Sequence, residues 1–171
     1  GLFEHKDGFE PHTFAAPDPE KEGTPTAQVL WEKGVEHANS EYLGVAAHMT
    51  DTMIAMYKSS AMMNTVYFGL ADGTHLCVDE HSANKFDENG DIINFPVRER
   101  PWYTGAAESG DIWFSDVYED RYTGILCITC SAPVYADGKL VGVVGSDLFL
   151  GAMSDYINSS VSSGGFICIV N

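Results

Sequence analysis

The chain has 171 residues, which is enough for one domain or for one domain and a fragment of a second. Hydrophobic residues make up 44% of the chain and charged residues 20%, a composition that supplies a core and excludes a disordered protein. The net charge of −16, with only nine Lys and Arg, excludes nucleic acid and anionic membrane surfaces as expected partners, because both require clustered basic residues.

Residues 1–23 are rich in Pro, Gly and acidic residues and have no sustained periodicity, so they are predicted to form an irregular leader. Residues 1–10 lack the basic start and apolar middle of a secretory signal peptide. The sequence contains no run of about 18–20 apolar residues. We therefore expect any membrane anchor of the native protein to lie outside this sequence.

A helix is predicted next. Thr24-Pro25 resembles an N-cap followed by a proline in the first helical turn. Apolar residues then recur at spacings of three and four, namely Val35, Ala38, Tyr42, Val45, Met49, Met53 and Met56. This stripe predicts one long helix, or two nearly collinear helices interrupted near Gly34 or Asn39. The methionines in the stripe are interpreted as core packing rather than as metal or cofactor ligands.

Strand signals replace the helical period after about residue 60. Asp72-Gly73 lies between β-prone residues 65–70 and 75–78, and Asp137-Gly138 lies between residues 132–135 and 140–144. Each Asp-Gly pair predicts a β-hairpin, and Asn89-Gly90 marks a third turn.

The remaining elements are shorter. They comprise a helix over residues 104–108 that ends at Gly110, a strand over 112–114, a helix over 148–160 and a strand over 165–170. Together with the hairpins they predict an α+β fold, in which a long N-terminal helix accompanies a mainly antiparallel sheet flanked by helices.

Two features superficially suggest metal or redox chemistry. Cys127 and Cys130 form a CxxC, but their neighbours predict a strand, in which residues three apart point to opposite faces. We interpret them as packed thiols, while a disulfide between one of them and Cys77 or Cys168 stays open. Residues 87–91 begin like a calcium loop, but the glycine and the final acidic residue are misplaced, so we interpret them as a polar turn.

Catalytic motifs are absent from the sequence: it has no GxSxG, Walker loop, GxGxxG or HExxH. Asp79-Glu80-His81 could perform acid–base chemistry, but three adjacent polar residues after a strand are typical of a solvated loop. We therefore expect no enzymatic activity, no cofactor and no metal.

Two segments suggest a ligand site. Residues 100–103, Arg-Pro-Trp-Tyr, place a cation beside two large aromatic side chains, and the apolar strand over 140–144 leads to a lone carboxylate at Asp147. Together they offer a positive group for an anion, a carboxylate for a cation and aromatic walls. A pocket for a small zwitterion requires these groups, so the pattern favours a ligand sensor.

These segments, with the Tyr118-Glu119-Asp120 loop and the strand over 129–134, resemble the membrane-distal module of double Cache (dCache) domains. Such domains are PAS-like extracytoplasmic sensors of bacterial and archaeal chemoreceptors, histidine kinases and cyclic-dinucleotide enzymes. The resemblance covers residues 25–171 and is densest from 95 to 150. It implies a distal ligand-binding module over residues 24–160, the start of a membrane-proximal module over 161–171, and possible homodimerisation through the long helix.

One subgroup of that family binds amino acids. The resemblance implies that Arg100 and Trp102 hold the ligand carboxylate. In this subgroup an aromatic hydroxyl precedes the arginine by five positions, where this chain has Phe95. One donor to the carboxylate is therefore missing.

The same resemblance assigns the opposite end of the ligand. Tyr103, Tyr118 and Asp147 would hold the ammonium group, with Asp120 near the rim. Tyrosine oxygens and a buried carboxylate are suitable partners for a primary ammonium.

Each of these residues also has a structural interpretation. Arg100 could form an ion pair, Trp102 and Tyr103 could be core aromatics, and Asp147 could cap the helix that follows it. Two alternative functions stay open as well. One is a structural or dimerising spacer without a ligand, and the other is a sensor of a simple carboxylate or amine.

Overall fold

The computed structural model describes residues 15–35, 40–152, 157 and 159. Seven strands in this part of the chain form one antiparallel sheet: β1 Thr26–Trp31, β2 Met63–Leu70, β3 Thr74–Asp79, β4 Trp113–Phe114, β5 Tyr118–Glu119, β6 Leu126–Ala136 and β7 Lys139–Phe149. Their spatial order is β1-β3-β2-β7-β6-β4, and β5 also pairs with β6. Among the described residues, three bounded α-helices flank the sheet: α1 Leu43–Ala46, α2 Thr50–Lys58 and α3 Pro101–Ser109. The predicted α+β class is confirmed.

The predicted start of the long helix is wrong. Residues Thr26–Trp31 form β1, which pairs with β3 so that Thr26 lies opposite Asp79 and Trp31 opposite Thr74. Among the described residues after β1, the first α-helix begins at Leu43, and helical structure continues through α1, a short 3-10 turn and α2 to Lys58. The run Ala-Gln-Val-Leu-Trp is too short for its periodicity to separate strand from helix, and pairing with the sheet decides its conformation.

The predicted turns and the short helix agree with the structure. Asp72-Gly73 connects β2 to β3, and Asp137-Gly138 connects β6 to β7 in a turn with positive φ at both residues. The helix over 104–108 is α3, which starts three residues earlier than predicted, at Pro101, and ends immediately before Gly110.

The end of β7 differs from its prediction. Leu148 and Phe149 continue the strand instead of starting a helix, and residues 150–152 are helical. Asp147 therefore lies inside a strand and does not cap a helix. Most of the predicted helix over 148–160 and the whole predicted strand over 165–170 lie outside the described residues.

The two faces of the sheet bury different side chains, because successive strand residues point to opposite faces. Val66 and Phe68 of β2 lie in a core that α2 covers, whereas Tyr67 lies in a second core with Trp102 of α3. Met53 is only 2% exposed in the first core, which confirms its interpretation as core packing. The second face carries the polar and charged groups from which a site is built.

The cysteines behave as the strand pattern predicts. Cys127 and Cys130 lie on β6, and both are free thiols, as is Cys77. Cys168 lies outside the described residues.

Candidate functional site

A cavity of about 340 Å³, counting its open mouth, lies on the α3 face of the sheet. Residues of β2, β3 and β7 line it, together with Phe95, Arg100 and Trp102 before and within α3 and with Tyr118, Asp120, Arg121 and Tyr122. Charged, polar and aromatic side chains from several elements converge on this cavity, as they do in binding sites for small molecules.

Two glycines of the sheet bring aromatic rings close to the strand backbone. A Cβ atom at Gly69 would lie 2.5 Å from a Val97 methyl group and 2.8 Å from the Trp102 ring, and one at Gly145 would overlap the Tyr67 ring. Contacts under 3.0 Å are not tolerated by real side chains, so both rings take the space that a larger residue would fill. Because Gly69 and Gly145 have no side chains, the Trp102 and Tyr67 rings can pack against the strand backbone, where they line the cavity.

The structure brings six of the seven predicted site residues to this cavity: Phe95, Arg100, Trp102, Tyr118, Asp120 and Asp147. Tyr103 is not among the residues that line it. Its ring instead packs edge-on against Trp102, with 5.8 Å between ring centroids.

Asp147 is the most constrained of these residues. Its Oδ1 accepts hydrogen bonds from the hydroxyls of Thr129 at 2.6 Å, Tyr67 at 2.7 Å and Tyr118 at 3.3 Å. Among the described residues, no hydrogen bond ends on Oδ2. The side chain is 4% exposed, so one oxygen of a buried carboxylate is held while the other is available to a ligand.

Burial raises the pKa of Asp147 to about 6. The hydrogen bonds from Thr129 and Tyr67 act in the opposite direction, and the nearby charge of Asp120 raises the pKa further. Burial also raises the pKa values of Tyr67 and Tyr118, so both phenols remain neutral donors. Asp147 is therefore a carboxylate at neutral pH, and its surroundings compensate its negative charge only in part. A cationic group beside it would stabilise that charge.

Beside the exposed Arg121, Arg100 supplies the positive charge of the cavity. Its guanidinium carbon lies 5.4 Å from the centroid of the Phe95 ring, and its buried Nε has no hydrogen-bond partner among the described residues. The neighbouring Arg98 instead forms an ion pair with Glu32, with 2.6 Å between Nη2 and Oε2. Within the described part of the chain, the structural ion pair belongs to Arg98 and not to Arg100.

Asp120 shapes the turn beside the cavity. Its Oδ1 accepts hydrogen bonds from the backbone N–H groups of Tyr122 and Thr123 and from the Thr123 hydroxyl. The side chain is 9% exposed. These bonds fix a second carboxylate close enough to Asp147 to influence its pKa.

A family model described as "Methyl-accepting chemotaxis protein-like, first PDC sensor domain" matches residues 33–155. The chain belongs to this family. The resemblance to Cache-type sensors is thereby confirmed, and the family consists of ligand-binding sensor domains rather than enzymes.

Two curated relatives are chemotaxis receptors. The chain is 39% identical over 73 residues to the methyl-accepting chemotaxis protein McpA of Pseudomonas putida, a match that covers 42% of this chain and 11% of McpA. It is 38% identical over 61 residues to McpC of Bacillus subtilis, covering 34% of this chain and 9% of McpC. The matched segments thus span about one tenth of each receptor.

Solved structures of the chemoreceptor CtaA of Pseudomonas fluorescens are also similar. Its ligand-binding domain in complex with L-alanine has a TM-score of 0.51 and 27% identity, covering 71% of this chain and 48% of that domain. The complex with L-valine has a TM-score of 0.50 at the same identity, covering 71% of this chain and 50% of the domain.

The sensor domain also places residues in the cavity that the motif did not predict. They include Tyr67 of β2, His75, Cys77 and Asp79 of β3, and Tyr122. For the three β3 residues, the sequence signal is the alternation of side chains along the strand: Leu76 and Val78, which lie between them, point to the opposite core. A strand that alternates apolar residues with His, Cys and Asp indicates one face that serves a site.

The interpretation of residues 79–81 as a solvated loop is wrong for Asp79. This residue is 1% exposed, and its Oδ2 lies 2.7 Å from Nζ of the fully buried Lys85. Its Oδ1 accepts hydrogen bonds from the Gln28 amide and the His81 backbone. The local sequence predicts a surface loop because Lys85, the buried cation that pairs with Asp79, lies six residues further along the chain.

No helix among the described residues combines the length and apolar character needed to cross a membrane. Within the same residues, no three His, Cys, Asp or Glu side chains are grouped so that they could hold a metal ion.

Proposed function

We propose that this chain is the ligand-binding module of a transmembrane chemoreceptor, exposed outside the cytoplasm, and that it binds an amino acid or a closely related amine-bearing carboxylate. Arg100 and Trp102 bind the carboxylate of the ligand. Asp147 and Tyr118 bind its ammonium group, with Asp120 at the rim. Tyr103 supports the Trp102 ring from behind and does not touch the ligand.

The observation that carries this proposal is a pair of incompletely satisfied charges in one small cavity. The buried Arg100 Nε has no partner among the described residues, and three hydroxyls bind a single oxygen of Asp147. Buried charged groups are costly unless they are paired. A ligand with one negative and one positive end compensates both charges at once.

The comparisons support the same ligand class. The related CtaA domain is described in complex with L-alanine and with L-valine, and both are zwitterions. The family model supports a sensor role for residues 33–155.

A thermal-shift screen of the chain with the proteinogenic amino acids, biogenic amines and short carboxylates tests the proposal. A ligand at about 100 times its Kd adds about 2.7 kcal/mol to the free energy of unfolding. For a domain of this size the corresponding rise in Tm is several degrees. We expect selected amino acids to raise Tm, while amines and carboxylates with a single charged group do not.

Matched variants locate the site. Arg100→Gln and Asp147→Asn should abolish the shift, whereas Arg98→Gln should retain it, because Arg98 pairs with Glu32 on the surface. If no amino acid changed Tm, the result would contradict the proposal and favour the alternative of a structural spacer without a ligand. A ligand that still binds to Asp147→Asn would identify a sensor of simple carboxylates, and one that binds to Arg100→Gln would identify a sensor of amines.

A further inference from the structure

His75 is a buried polar residue that the zwitterion site does not use. It lies on β3, lines the cavity and is 3% exposed. Neither Nδ1 nor Nε2 has a hydrogen-bond partner among the described residues. An unpaired buried polar group is costly, so its presence in a ligand cavity points to a partner supplied by the ligand.

Neighbouring rings hold the imidazole in place. It stacks on Phe95 at a centroid distance of 4.6 Å and an interplanar angle of 11°, and it meets Tyr67 edge-on at 5.6 Å. Burial lowers the pKa of His75 to about 3, and the charge of Lys85 acts in the same direction. His75 is therefore neutral near pH 7 and offers one N–H donor and one nitrogen acceptor.

Tyr122 adds a second unused polar group to the same part of the cavity. Its ring stacks on Phe95 at a centroid distance of 5.5 Å, and its buried hydroxyl has no partner among the described residues. Lys85 lies 3.7 Å from the centroid of the Tyr122 ring. His75 and Tyr122 are thus neutral hydrogen-bonding groups that share the Phe95 ring as a neighbour.

The charge of Asp79, which acts on both of these groups, is already compensated. Asp79 lines the cavity next to them, but its Oδ2 binds Lys85 at 2.7 Å. Its Oδ1 accepts from Gln28 at 2.9 Å and from the His81 backbone at 3.0 Å. A ligand group at this end of the cavity gains hydrogen bonds from His75 and Tyr122, and Asp79 offers it no unpaired charge comparable with that of Asp147.

We propose that His75 recognises the side chain of the ligand, and that the preferred ligands are amino acids whose side chain carries an uncharged amide or hydroxyl group. This inference rests on the proposed function, in which Arg100 and Asp147 hold the two charged ends. An aliphatic side chain of the same shape would leave His75 and Tyr122 unpaired, and sites with such buried groups reject analogues that lack the hydrogen-bonding atoms.

Isothermal titration calorimetry with pairs of nearly isosteric ligands tests the inference. L-asparagine is compared with L-leucine, and L-threonine with L-valine, on the 171-residue chain. We expect the polar member of at least one pair to bind about tenfold or more tightly than its aliphatic partner. Equal binding, or tighter binding of the aliphatic member in both pairs, would overturn the inference while leaving the zwitterion site intact.

Variants at His75 sharpen the test. His75→Phe keeps a ring to stack on Phe95 but removes both nitrogens, so the preference for the polar member should disappear. His75→Gln restores a donor and an acceptor and should recover part of it, while His81→Gln, outside the cavity, should leave it unchanged. A preference that persists in folded His75→Phe would overturn the role of this residue. If none of the four amino acids binds the unaltered chain and the thermal-shift panel is flat, the proposed function fails together with this inference.

Discussion

The two faces of the sheet each border a cavity, and the larger cavity carries less chemistry. On the α2 face, about 790 Å³ counting the opening is lined largely by apolar side chains, including Met49, Met53 and Met56. On the α3 face, the cavity of about 340 Å³ gathers Arg100 and Asp147 with several hydroxyls. A specific ligand site is distinguished by polar groups that converge on it rather than by its volume.

Strand alternation produces this division. On β3, Leu76 and Val78 enter the core under α2, whereas His75, Cys77 and Asp79 line the cavity under α3. A shift of one residue in the register would exchange the two sets. The same strands therefore build an apolar support on one face and a polar site on the other.

The largest effect is expected from the ion pair beneath the polar face. Lys85→Met leaves Asp79 buried without its cation, and removal of one partner from a buried pair costs about 3–5 kcal/mol of the free energy of unfolding. Urea denaturation followed by circular dichroism measures this change. Lys58→Met is the control, because Lys58 is exposed at the end of α2. A loss similar to that of the control would contradict the structural role of the pair.

The apolar face should respond in stability alone. Met53→Ala removes a 2%-exposed side chain from the core under α2 and should cost an amount at the lower end of about 2–5 kcal/mol, because flexible methionines nearby can fill part of the space. Met56→Ala, at a position 44% exposed, should cost much less. Affinity for the ligand should not change in either variant. A large loss of affinity in folded Met53→Ala would break the separation between the faces.

The polar face should respond to pH. In the proposed site Asp147 binds an ammonium group as a carboxylate, and burial raises the pKa of Asp147 in the free protein to about 6. Below that pH, binding must first remove a proton, so affinity falls by about tenfold per pH unit. Calorimetry at pH 7.5 and pH 5 should show a loss of about tenfold. His75 does not titrate in this range, since its pKa is about 3.

A variant moves this pH profile in a defined direction. Tyr67→Phe removes a hydrogen bond that lowers the pKa of Asp147, so the loss of affinity should begin at a higher pH. An affinity that is equal at pH 7.5 and pH 5, or one that rises on acidification, would contradict the assignment of Asp147.

The smallest effect is expected at Phe95, which stands where the amino-acid-binding subgroup has an aromatic hydroxyl. Phe95→Tyr adds a hydroxyl to the ring that lies 5.4 Å from the Arg100 guanidinium carbon. One further hydrogen bond to the ligand carboxylate should raise affinity about 2–10-fold. Phe114→Tyr, on a side chain that is 66% exposed, provides the control. An unchanged affinity would show that Phe95 does not face the carboxylate.

Local sequence signals predicted much of this architecture. The Asp-Gly pairs located both hairpins, whereas the helix predicted over 104–108 begins three residues earlier, at Pro101. Adjacent helix residues point about 100° apart, and in α3 Trp102 lines the cavity while Tyr103 packs against its ring.

Other features depend on contacts between distant segments. β1 is a strand because it pairs with β3, and nothing in its six residues excludes a helix. The burial of Asp79 depends on Lys85, and that of His75 depends on Phe95, twenty residues away. Such contacts appear only when the sheet is assembled.

The central claim, that Arg100 and Asp147 bind the two ends of one zwitterion, is tested most directly with ligands that lack one end. The amino acid with the largest shift in the thermal-shift panel is titrated by calorimetry beside its methyl ester, which has no carboxylate, and its deaminated acid, which has no ammonium group. Both analogues should bind at least about 30-fold more weakly, because each leaves one charged group of the cavity without its partner. An analogue that binds as tightly as the parent amino acid would contradict the claim.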